Sequence, residues 1–123
     1  MSAAVRVSER AREATIQRAI MAAIGAMPGV VVHRNNVGTA THGGARVEYG
    51  VGGSGAPDLL VEVLCGGVWR VLWVEVKTPD GTVEPHQRAW HEAAQRMGRP
   101  CVVARSVEDA CRAVEMVRCG GAP

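Results

Sequence analysis

The chain contains no phenylalanine, one tyrosine and three tryptophans in 123 residues. With aromatics at 3%, the core must be built from aliphatic side chains. Base stacking therefore cannot dominate any binding of single-stranded nucleic acid. No apolar run approaches the roughly 18 residues needed to cross a bilayer. Charged residues interrupt the N-terminal stretch from Arg6 to Arg18, which excludes the apolar centre of a secretory signal. These absences predict a cytoplasmic protein with no membrane partner. The four cysteines, at 65, 101, 111 and 119, form no C-x-x-C pair and no zinc-type spacing with histidine. They are expected to be small apolar residues of a reducing compartment. The formal net charge is only +2, so gross electrostatics alone do not indicate a nucleic-acid partner. Lysine is the scarcest charged residue: Lys77 stands alone, and the other 13 basic residues are arginines. Arginine cannot replace lysine where a compact ammonium is required, which draws attention to this position.

What remains is ordinary for one globular domain. Apolar residues make up 47% and charged residues 21%, and a chain of this length buries roughly two-thirds of its unfolded surface. Ser8 reads as the N-cap of a first helix running to about Met27, with Ile16, Ile20, Ala23, Ile24 and Met27 as its apolar stripe. Glu13 and Gln17 lie beside that stripe. Val30 to Arg34 is a β-branched strand. Asn35 to Pro57 holds seven glycines and reads as a long loop, with a short strand around Arg46 to Tyr49. Loops of that length inside a domain are usually functional or disordered. Its Arg34, Asn35, Asn36, His42 and Arg46 are suited to phosphate contact. Two nearly continuous apolar strands follow, Asp58 to Leu64 and Trp69 to Lys77, joined by a hairpin turn and expected at the centre of a sheet. A helix opens at Pro85 and stops at Gly98, with Trp90, Ala93, Ala94 and Met97 inward and His86 and His91 outward. Cys101 to Ala104 is a last strand, and Ser106 with Asp109 caps a final helix.

The chemistry concentrates on the strand that carries the lysine. Side chains alternate along a strand, so Leu72, Val74 and Val76 face one way and Trp73, Glu75 and Lys77 the other. An acid and an amine thus project together, about 7 Å apart along the backbone. If the two apolar strands pair as a hairpin, Asp58 comes to the same end. Two carboxylates beside one ammonium suit a Mg²⁺ or Mn²⁺ site, with Asp58 and Glu75 as ligands and the Val76 carbonyl as a third oxygen. Lys77 would stabilise charge developing at phosphorus. The plain alternative is an exposed Glu-x-Lys pair on an edge strand, with Asp58 a turn residue after proline.

Pro57-Asp58 followed after sixteen residues by Glu75-Val76-Lys77 resembles the signature of the PD-(D/E)xK nuclease superfamily. More narrowly, the chain resembles the VRR-NUC domain family in the small stand-alone form found in phages and bacteria. The resemblance spans roughly residues 9 to 115 and rests on Glu13 to Gln17, Arg34 to Gly38, Gly55 to Asp58, Glu75 to Lys77, Pro85 to Gln87 and Val103 to Ala110. It implies a single α/β domain with a mixed central sheet flanked by helices, acting as a metal-dependent endonuclease on DNA. Carried over, Asp58 and Glu75 are metal ligands, Lys77 the catalytic lysine, Glu13 a helix-borne acid at the site and Gln87 a polar residue from the second helix. It also implies a homodimer acting on branched DNA such as a four-way junction, with no small organic cofactor, in a bacterial or phage-infected cell. The name-giving Val-Arg-Arg appears as Val103-Ala104-Arg105, without its middle arginine. Arg34, Arg46, Arg88 and Arg105, with Asn35 and Asn36, are the expected DNA contacts. Two rival functions are a catalytically silent branched-DNA-binding module and a restriction-type duplex endonuclease.

Overall fold

The computed structural model describes residues 3–123, with side chains from residue 8 onward. Three helices, α1 (Ala3–Gly25), α2 (Pro85–Arg96) and α3 (Val107–Arg118), accompany six strands. The strands are β1 (Val30–Arg34), β2 (Gly38–His42), β3 (Ala45–Tyr49), β4 (Leu59–Cys65), β5 (Val68–Val76) and β6 (Cys101–Ala104). Four form a mixed sheet in the order β1-β4-β5-β6, antiparallel except for the β5–β6 pair. The crossover from β5 to β6 runs through α2, as a parallel pair requires.

Alternation along the inner strands decides the layers. Leu59, Val61 and Val63 of β4 and Leu72, Val74 and Val76 of β5 pack with Ile20 and Ile24 of α1 and Val114 and Val117 of α3. This aliphatic layer is the main core, each side chain contributing roughly 1.5–3 kcal/mol by leaving water. The opposite face holds a smaller cluster in which Trp73, Ala94 and Cys101 meet Leu60 and Trp90. Because α2 covers only the β5–β6 side of that face, Val31, Leu64, Trp69 and Val71 remain exposed there. β4 turns into β5 through Gly66 and Gly67, both at positive φ, the geometry of a tight hairpin turn.

The strand from Val30 to Arg34, the central hairpin, the proline-led α2 and the last strand lie where the sequence places them. Four expectations are corrected. Helix α1 is already formed at Ala3, so Ser8 lies inside it and is not its N-cap. The glycine-rich segment contains a second strand, β2, paired with β3 through a Gly43–Gly44 turn. His91 is buried rather than on the surface. Met97 is the C-cap of α2 and is exposed, because Gly98 at positive φ turns the chain toward β6 there.

Candidate active site

Glu75 sits on the α2 side of β5 with only 1% of its surface exposed. One carboxylate oxygen, Oε1, accepts a hydrogen bond from Gln87 Nε2 at 3.0 Å and has Lys77 Nζ at 3.9 Å. The other, Oε2, is buried and has no hydrogen-bond partner among the described residues. Burial, reinforced by the neighbouring Asp58 carboxylate and only partly offset by Lys77, pushes the Glu75 pKa up to about 9. Asp58 stands within hydrogen-bonding reach of the Glu75 carboxyl. Between two ionised carboxylates neither can donate, so Oε2 has nothing to satisfy it unless a proton or a cation sits there.

Asp58 is fixed by two backbone amides. Its Oδ2 accepts from the Val76 amide at 2.9 Å, and its carbonyl accepts from the Asn35 amide at 2.6 Å. The ladder between β4 and β5 runs down to Leu59 opposite Val74. The next partner for Val76 would be Pro57, which has no N–H to give. The Val76 amide is therefore taken by Asp58, and the Val76 carbonyl has no ladder donor. Proline before the acid thus opens the backbone where the oxygens gather.

Asn35 is buried, and its role differs from phosphate contact. Its Nδ2 donates to the carbonyls of Val51 and Pro57 at 2.8 and 3.0 Å, and its Oδ1 accepts from the Val51 amide at 2.9 Å. This amide ties the glycine-rich segment to the residue before Asp58. Asparagine just past a strand end is the side chain that bonds neighbouring backbone, a signal the sequence offered. Arg105 is likewise turned inward. Its Nη1 donates to the carbonyls of Thr78 and Gly81 at 2.7 and 2.6 Å, pinning the turn that follows Lys77. Its own amide is held by Asp109 of α3 at 2.9 Å.

Glu13 is half-buried on α1, near enough to interact with Lys77 and Asp58. Burial pushes its pKa up, with Lys77 opposing and Asp58 and Glu9 reinforcing. Among the described residues no group of three Asp, Glu, His or Cys side chains is placed to hold an ion, and Glu13 lies within electrostatic reach of the Asp58–Glu75 pair. Gln87 also accepts from the Glu84 amide at 2.9 Å, completing the capping box of α2 and fixing its own side chain. A cleft of about 620 Å³ opens from Asp58 and Gln87 toward Arg46 on the β2–β3 hairpin. Gly55 floors it against the first turn of α2, where any side chain would strike the His86 carbonyl. Trp90 Nε1 donates to the Gly52 carbonyl at 2.9 Å and closes the same loop onto α2. Arg34, Asn36 and Arg88 are exposed but do not line this cleft.

Two carboxylates, one with a buried unpartnered oxygen, and a carbonyl free of the ladder form an oxygen-only donor set. Hard divalent cations such as Mg²⁺ and Mn²⁺ take such sets and complete them with water. A mixed sheet flanked by helices, bearing Asp58 and Glu75-x-Lys77 on adjoining strands, defines a PD-(D/E)xK-like fold. Residues 11–108 match the VRR-NUC domain, and the chain belongs to that family of nuclease domains acting on DNA. No curated protein and no solved structure matches the chain. Among the described residues no helix is long and apolar enough to cross a membrane.

Proposed function

We propose that this protein is a Mg²⁺- or Mn²⁺-dependent endonuclease that hydrolyses phosphodiester bonds in branched DNA. The observation that carries the reading is the Asp58–Glu75 pair, in which Glu75 is buried and short of a donor while Asp58 lines a cleft of about 620 Å³. A structural core has no use for two adjacent carboxylates of which one is fully buried, since their repulsion and desolvation both oppose folding. Asp58, Glu75 and the Val76 carbonyl would hold the cation. When bound, it supplies Lewis-acid charge to the phosphate and lowers the pKa of water. Gln87 orients the Glu75 carboxylate, while the Val76 amide orients that of Asp58. Lys77, nearly buried, holds its ammonium at the same place to stabilise negative charge on the phosphorane-like transition state. Arg46 at the cleft and the exposed Arg34 and Arg88 neutralise flanking phosphates.

A homodimer would set two such sites against the two-fold symmetry of a four-way junction. The uncovered sheet face supports this assembly, since Trp69 is 52% exposed beside Val31, Leu64 and Val71. The apolar stripes of the first and last helices do not, because they lie in the core. The test is cleavage of labelled junction, flap, splayed-arm and linear duplex substrates with Mg²⁺ and with Mn²⁺. Incision of the branched substrates is expected, abolished by Lys77→Ala or Asp58→Asn in proteins that stay folded and still bind DNA. Activity of either variant, or of wild type in excess EDTA, overturns the reading. Digestion of linear duplex to discrete bands would instead favour the restriction-type function.

A further inference from the structure

The β2–β3 ribbon is the element whose presence the core does not explain. Among the described elements β2 and β3 touch only each other, and from Thr39 to Tyr49 every residue is exposed. A lone two-stranded ribbon is marginal in water, and five-residue strands reach roughly 17 Å beyond the body. It nevertheless lines the cleft of Asp58 and Gln87 from its root, through Thr39, Glu48 and Tyr49, to Arg46 near its turn. The register places Gly38 opposite Tyr49 and Ala40 opposite Val47, so these four share one face. The Tyr49 ring lies across Gly38, where any side chain would collide with it. One side of the ring therefore rests on backbone, and the residue is 49% exposed. Val47 is exposed on the same face. An apolar face with one flat ring gains little from a phosphate backbone. The faces of bases, by contrast, are open to it wherever stacking is interrupted. The ribbon carries one arginine, matched by Glu48, so charge alone does not recommend a duplex.

We propose that this ribbon engages DNA where base pairing is interrupted, with Tyr49 stacking on an unpaired base beside the strand held in the cleft. The inference rests on DNA being the substrate and adds the feature of DNA that is selected. The test measures affinity in EDTA, so that no catalysis is needed, using a flap with 2-aminopurine at the branch and a linear duplex of equal length. Wild type and Tyr49→Phe are expected to quench the fluorophore. Tyr49→Ala should lose the quench and bind the flap about tenfold more weakly, the order expected for one lost stacking contact. Duplex affinity should be unchanged in Tyr49→Ala, and an unchanged thermal melt in EDTA certifies its fold. Equal flap affinity in Tyr49→Ala overturns the inference while wild-type cleavage leaves the nuclease reading intact. So does conversion of a dimer to a monomer by Tyr49→Ala, which would mean that a second copy covers this face. Tyr49-dependent quenching by a protein that hydrolyses nothing would instead uphold the ribbon's role and overturn the nuclease reading.

Discussion

Replacing Glu75 by glutamine should make the protein more stable and inactive. Its carboxyl has a pKa near 9 in the fold against 4.5 for the ordinary group. Below pH 4.5 both folded and unfolded chains hold the proton. Between pH 4.5 and about 9 only the folded chain does, so stability falls as pH rises through that window. At pH 7 the span above 4.5 corresponds to about 3 kcal/mol, at 1.36 kcal/mol per pH unit. Glutamine keeps the oxygen that accepts from Gln87 and offers an N–H to Asp58 in place of the Glu75 carboxyl proton. Glu75→Gln should therefore gain about 3 kcal/mol at pH 7, roughly 10 °C in Tm for a domain of this size. Its stability should also fall less steeply between pH 5 and 9. The assay is thermal and urea unfolding in EDTA at several pH values. Adding Mn²⁺ should then stabilise wild type but not the variant, because only the ionised pair binds the cation. A variant less stable than wild type at pH 7, or one with the same pH slope, refutes the reasoning.

Further substitutions separate chemistry from scaffolding. Lys77→Arg should lower the rate of DNA cleavage by at least about 10²-fold, because the guanidinium fork does not fit a nearly buried site shaped for an ammonium; single-turnover kinetics reads this. Arg105→Ala should cost about 2–3 kcal/mol and raise hydrogen exchange over residues 78–81, since the carbonyls of Thr78 and Gly81 lose their donor. Asn35→Ala should cost a similar amount, about 2–3 kcal/mol, by orphaning the Val51 amide. Its cleavage rate should fall as well, because the segment leading into Asp58 is released; urea unfolding and the branched-substrate assay check both.

The layers of the sheet were legible because the signals were dense. Val30 to Arg34 is β-branched, β4 and β5 are nearly all apolar, and the alternation of Leu72 to Lys77 sorted core from site without reference to any neighbour. β2 escaped because Gly38-Thr39-Ala40-Thr41-His42 buries nothing, leaving no hydrophobic alternation to read. Asp58, Glu75, Lys77 and Gln87 come together as their order along the chain suggests. The roles of Asn35 and Arg105 depend instead on which carbonyls lie opposite them, and that is fixed by long-range packing. His91 and Met97 exchanged expected positions for a related reason. The inward face of α2 is set by the small Trp73–Cys101 cluster, and the helix ends one residue before Met97.

The central claim is that Asp58 and Glu75 together hold a divalent cation that DNA cleavage requires. Calorimetric titration of Mn²⁺ into wild type, Asp58→Asn and Glu75→Gln, run beside cleavage of a four-way junction, tests it most directly. The account predicts binding and incision by wild type and loss of both in each variant. Undiminished Mn²⁺ affinity in both variants, or incision by wild type in excess EDTA, would contradict it.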